Sequence, residues 1–200
     1  MSEEKKKLYD LGELLGESTL DETSESIEEK SRGTIEDNFE SDIYPVYILS
    51  RVVYETIRMC KNAIPNEAIG VLLGYKMQYQ GIKYVKIVDW VTGRAHQSHA
   101  YAEFTPEGVQ QYTTLIQEKY GDSENRPRIV GIIHSHPFGS NPHFSSTDYN
   151  TFLNFPYDAE HNVFVLVDPK SGYYKSYIVI KDEEKGKTLQ EVNWVEYTVR

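Results

Sequence analysis

The chain has one cysteine, Cys60, among 200 residues. That excludes an internal disulfide framework and any cysteine-rich zinc finger. No apolar run approaches the about twenty residues needed to span a bilayer. The opening Met-Ser-Glu-Glu-Lys-Lys-Lys leads into leucines alternating with acids. It lacks a secretory h-region, so the expectation is a soluble, cytoplasmic protein with no membrane partner. A positive field is missing too. Residues 1–42 hold fourteen acidic and five basic side chains, a net of −9, and the other 158 residues hold seventeen and sixteen, a net of −1. A body without surplus cations has no means of gripping phosphates over a wide surface, which argues against nucleic acid as a partner. There is no Gly-rich phosphate loop, no Gly-x-Ser-x-Gly elbow and no His-Glu-x-x-His helix, which removes several common enzyme classes.

Residues 1–42 carry scattered apolar side chains in a Ser, Thr and acid background. Such a segment buries too little apolar area to offset its ordering entropy, so it is expected to be a disordered tail. Leu8, Leu11 and Leu15 stand at helical spacing and offer a docking element for an assembly partner, weakened by Gly12 and Gly16. From residue 43 onward the chain reads as one domain. Ser50 is placed to cap a helix whose inner positions include Val53, Ile57 and Cys60, ended by Pro65. Ala68 to Gly74 and Ile82 to Val91 read as strands. Thr105-Pro106-Glu107 starts a helix that runs to Tyr120 and stops at Gly121. Arg128 to Ile133 is a strand ending in His134. Ser145 or Ser146 caps a helix reaching Phe155. Val163 to Val167 and Tyr173 to Ile180 are strands about a turn, and Leu189 to Val199 adds an edge strand or a helix. The stretch between Gly93 and Ala100 reads as a loop. Helices interleaved with strands indicate a single α/β or α+β layered domain.

The chemistry concentrates in His134-Ser-His136-Pro137 and Phe144-Ser145-Ser146-Thr147-Asp148. Residues two apart at a strand end point to one face, so His134 and His136 project together, and Pro137 leaves them at the strand's mouth. Two imidazoles and a nearby carboxylate, Asp148, form an N,N,O set suited to Zn²⁺. Three protein ligands leave one tetrahedral position open, as in catalytic zinc sites, where the ion lowers the pKa of water from about 15.7 to about 7. Glu67, at the head of an apolar strand, is the candidate base. Ser145 is the candidate donor to an oxyanion. Each has a bland counterpart: a histidine at a strand end is usually a satisfied polar residue, and a Glu at a strand start a solvated flank. His96 and His99 form a rival pair in what reads as a loop. His143 lies near the main pair, His161 reads as structural, and Cys60 as a buried apolar residue.

Glu67 followed by Gly70-Val71-Leu72-Leu73-Gly74, then His134-Ser135-His136-Pro137, then Ser145-Ser146-Thr147-Asp148 resembles the JAMM, or MPN-type, metallo-isopeptidases over roughly residues 45–180. The resemblance implies a central, curved mixed β-sheet flanked by helices, similar to cytidine deaminases. It implies His134, His136 and Asp148 as ligands of one Zn²⁺, Glu67 as general base and Ser145 as oxyanion donor. The implied activity is hydrolysis after the C-terminal Gly-Gly of a ubiquitin-like modifier, with that modifier or its conjugates as partner. Processing of a sulfur-carrier-type precursor and a non-catalytic MPN scaffold are the alternatives. One departure is visible: residues 137–147 make eleven between the second His and the Asp, where the family commonly has ten. With Ser-x-x-Asp intact, the extra residue falls in the Phe138 to Phe144 loop, which is expected to differ while the ligand geometry survives.

Overall fold

The computed structural model describes residues 43–154, 156–182 and 186–199. The expectations for the acidic segment 1–42 and for Phe155 lie outside these residues. The first described element, β1 (Val46–Leu49), was not legible as a strand beforehand, because four residues are too short a run to show a period. It leads directly into α1 (Ser50–Ala63). Here the expected Ser50 cap is corrected. Leu49 holds the N-cap position with no side-chain cap, and Ser50 is already helical, its hydroxyl donating to the Tyr197 carbonyl at 3.0 Å. The helix buries Val52, Val53, Thr56 and Cys60, a face set by spacings of one, three and four residues.

Strands β2 (Ile69–Tyr79) and β3 (Ile82–Val91) pair antiparallel. The stretch read as a loop is instead a hairpin, β4 (Ala95–Ser98) with β5 (Tyr101–Phe104). It forms its own two-stranded sheet, and its strands of four residues are too short to show a period. Next come α2 (Pro106–Tyr120), capped by the Thr105 hydroxyl, and β6 (Arg128–Ser135). Gly121 takes φ +58° at the end of α2, a conformation that a Cβ would disfavour. Helix α3 (Ser146–Phe152) has Ser145 as its N-cap and ends before the expected Phe155. Strands β7 (Val163–Asp168) and β8 (Tyr173–Asp182) follow. The terminal stretch supplies two strands, β9 (Gly186–Val192) and β10 (Trp194–Tyr197).

Eight of the strands form one mixed sheet in the order β10-β1-β3-β2-β6-β7-β8-β9, so the last two strands close opposite edges. β6 lies centrally, antiparallel to β2 and parallel to β7. Alternation along β7 explains the two cores. Val163, Val165 and Val167 join Val52, Val53 and Cys60 of α1 on one face, whereas Phe164 and Leu166 join Ile116 and Phe152 on the other. The fold is a single α/β domain with a curled mixed sheet and helices on both faces. Among the described residues, no helix is long and apolar enough to cross a membrane.

Candidate metal centre

The centre of the sheet places the site. Register pairs Ile69 of β2 with His134 of β6, so Glu67, just before β2, sits beside the end of β6. Three hydrogen bonds hold the chain there. The Glu67 N–H donates to the Ser98 carbonyl of the β4–β5 hairpin at 2.8 Å, and the Ala68 N–H donates to the Ser135 hydroxyl at 2.8 Å. Ser135 returns its own N–H to the Ala68 carbonyl at 3.0 Å. Ser135 is buried, facing away from the two histidines as strand alternation requires, and also hydrogen-bonds Cys60. Burial pushes that thiol up to about 12, so Cys60 is inert as a nucleophile.

The side chains converge. His134 and His136 face each other edge-on with ring centroids 5.0 Å apart. Glu67 Oε2 is 3.1 Å from His134 Nε2, and Glu67 Oε1 is 3.7 Å from His136 Nε2. Asp148 reaches the same two nitrogens, Oδ1 at 3.5 Å from His134 and Oδ2 at 3.3 Å from His136. One ligand atom each from Glu67, His134 and His136 lie within 4.8 Å of one another. Two donors held about 2.0–2.1 Å from one tetrahedral ion stand roughly 3.4 Å apart. The four separations bracket that spacing, and Glu67, His134 and His136 each offer one atom that together fit a divalent cation, with Asp148 beside both rings.

Hydrogen-bond accounting points the same way. Glu67 is only 2% exposed, yet its Oε2, like both ring nitrogens of His134, has no hydrogen-bond partner. Unsatisfied buried polar atoms are costly, and a cation at their focus removes the cost. Asp148, by contrast, is tied down. Its Oδ2 accepts from both the Ser145 N–H and the Ser145 hydroxyl at 2.7 Å, and Ser145 Oγ accepts from the Asp148 N–H at 3.2 Å, a reciprocal cap on α3. Burial alone would raise the Asp148 carboxyl. Contacts with His136, His134 and Ser145 outweigh it and leave it at about 2, so it is ionised at neutral pH. For His136, burial lowers the pKa, but Asp148, Glu67 and the His143 backbone together raise it above the usual histidine value.

Of the six histidines, then, His134 and His136 are the pair the fold brings together with Glu67 and Asp148. His96 and His99 are exposed on the hairpin, and His143 touches the site through its backbone. His161 precedes β7 at φ +64° with burial lowering its pKa. Sequence reasoning missed the positioning groups Ser98 and Ser135. For Ser135 the signal was there: residue 135 lies between two same-face histidines and must face the core. Asp168 is the last residue of β7 and opens the turn to β8. It is buried, and its carboxylate accepts N–H bonds from Ser140 at 2.7 Å and Lys170 at 2.8 Å, joining the loop after His136 to the β7–β8 turn.

A family model described as prokaryotic homologs of the JAB domain matches residues 49–185. No curated protein matches the chain. Among solved structures, the solution structure of protein DSY2949 from Desulfitobacterium hafniense is similar to it, with 17% identity, 77% of this chain and 94% of that chain covered, and a TM-score of 0.46.

Proposed function

Because the chain belongs to the prokaryotic homologues of the JAB domain, we propose that it is a zinc-dependent isopeptidase of the JAMM type. Its substrate would be a conjugate of a ubiquitin-like modifier, cut after the C-terminal Gly-Gly. The observation that supports this best is the convergence of Glu67 and Asp148 on the Nε2 atoms of His134 and His136 at 3.1–3.7 Å.

Distances do not divide the two carboxylates into ligand and base; their surroundings support one assignment over the other. Asp148, ionised and pinned by Ser145, suits a permanent ligand alongside His134 and His136. Glu67 has its backbone fixed and one carboxylate oxygen without a hydrogen bond, which suits a group that accepts and releases a proton. The ion, when bound, supplies Lewis acidity that acidifies water and polarises the scissile carbonyl. Glu67 would take the proton of the attacking water and pass it to the leaving amine. The His143 backbone orients the His136 ring, the kind of outer contact that fixes a ligand's tautomer. Ser145 would turn its hydroxyl from Asp148 toward the developing oxyanion.

The test uses the purified full chain with a modifier–lysine adduct and, separately, a C-terminally extended modifier precursor. Release from the adduct, stopped by chelation and restored by Zn²⁺, supports the isopeptidase reading. Cleavage of the precursor alone moves the function to processing of a sulfur-carrier-type protein. Hydrolysis of neither, with zinc bound, leaves a scaffold. The surplus of acid in residues 1–42 would then serve, in any of these cases, to dock a partner with a basic surface.

A further inference from the structure

Phe138 is 58% exposed although its ring centroid stands 5.5 Å from that of His136, tilted by 39°. The ring is a large apolar surface open to solvent directly against a candidate metal ligand. The chain is not free to fold the ring away. The Phe138 N–H donates to the His136 carbonyl at 2.9 Å, and the His136 N–H to the Val167 carbonyl at 2.8 Å. One residue on, Gly139 turns the chain at φ +77°. The Ser140 N–H is then held by Asp168 at 2.7 Å, while the Ser171 hydroxyl donates to the Ser140 carbonyl at 3.2 Å. Asp168 also accepts from Ser171 N–H at 3.2 Å, so a fully buried carboxylate fastens the backbone on the far side of the ring. Hydrogen bonds on both flanks fix the backbone of Phe138 beside His136, which leaves its rotamers as the main remaining freedom.

We propose that Phe138 is a specificity-determining residue, an apolar wall that packs against the aliphatic stem of the lysine on the amine side of the scissile bond, and that Asp168 is the positioning residue that presents it. The inference rests on the metal-site reading above. Aromatic rings fixed in this way supply contact area at little entropic cost to binding.

The experiment compares two hydroxamates that differ by a phenyl ring, acetohydroxamic and benzohydroxamic acid, titrated calorimetrically into the zinc-loaded full chain. Their affinity ratio in Phe138→Ala gives the intrinsic difference between the two chelators. In the wild type the ratio should favour benzohydroxamate by a further about three- to tenfold, the scale of an aromatic contact. Phe138→Leu should keep part of that preference. Asp168→Asn, if folded by circular dichroism, should lose it while acetohydroxamate binding stays the same; Ser171→Ala gives a milder version should that variant not fold. Equal ratios in wild type and Phe138→Ala, with both ligands bound, overturn the role of Phe138 and leave the metal centre standing. Failure to take up zinc or either hydroxamate removes the metal reading, and this proposal with it.

Discussion

Two buried carboxylates, Asp89 and Glu67, differ in their partners. Asp89 on β3 is 1% exposed and fully engaged. Arg51 donates to its Oδ1 at 2.8 Å, and both Lys119 and Tyr120 donate to its Oδ2, joining α1 and α2 to the sheet. Glu67, at 2% exposure, has no cation from the chain itself, only imidazoles, and an oxygen without a hydrogen bond. The difference separates a carboxylate that holds the fold from one that waits on something the fold does not contain. Substitutions at the two positions should therefore diverge in what they damage.

The largest effect is expected at Glu67. Glu67→Gln keeps shape and removes the proton acceptor, so hydrolysis of a modifier–lysine adduct should fall by about 10²–10⁴-fold, with zinc content unchanged. Turnover close to wild type would remove Glu67 from proton transfer. Asp89→Asn should do the reverse. It leaves activity per folded molecule intact and costs about 1–3 kcal/mol in urea unfolding, as a buried acceptor facing charged donors is lost. The partners Arg51 and Lys119 are half exposed and can turn to water, which limits the loss. An unchanged midpoint would show that the network is solvated and not structural.

Acid sharpens the contrast. Burial would raise the Asp89 carboxyl, but hydrogen bonds from Lys119, Tyr120 and Arg51 hold it below its ordinary value. A folded-state pKa below the unfolded one means that the stabilisation is complete above about pH 4 and is lost as pH falls through the depressed value. Below about pH 4 the metal-free wild type should therefore lose stability as acid is added, and Asp89→Asn should show a shallower acid limb in melting temperature against pH. Parallel curves would contradict the assignment. The smallest effect lies away from both sites. Thr105→Ala removes the cap on Gly108 N–H and should cost about 1 kcal/mol with no change in activity or zinc.

How far these features could be read beforehand follows the range of the forces involved. Apolar runs and local signals gave β3 at Ile82–Val91, α2 from Pro106 to Tyr120 and the Ser145 cap of α3, because their determinants lie within a few residues. The four-residue β1 and the β4–β5 hairpin were missed, since pairing with distant partners and not any internal pattern defines them. The terminal stretch could be seen as extended or helical, but only the tertiary fold sends β9 and β10 to opposite edges. At the centre, the spacing of His134 and His136 foretold a common face, and Asp148 does lie within 3.5 Å of both rings. Glu67 stands as near to them as Asp148, a proximity that no spacing across so long a separation in sequence could reveal. The hold of Asp168 on Ser140 was hidden for the same reason, because it joins two loops through backbone groups that carry no sequence signature.

Glu67, His134, His136 and Asp148, from three segments, are expected to enclose one divalent ion. Anomalous diffraction at the zinc edge, from crystals grown with Zn²⁺, should then show a single strong peak within about 2.0–2.2 Å of His134 Nε2, His136 Nε2 and an Asp148 oxygen. Absence of a peak there, or zinc bound instead at the exposed His96 and His99, would contradict it.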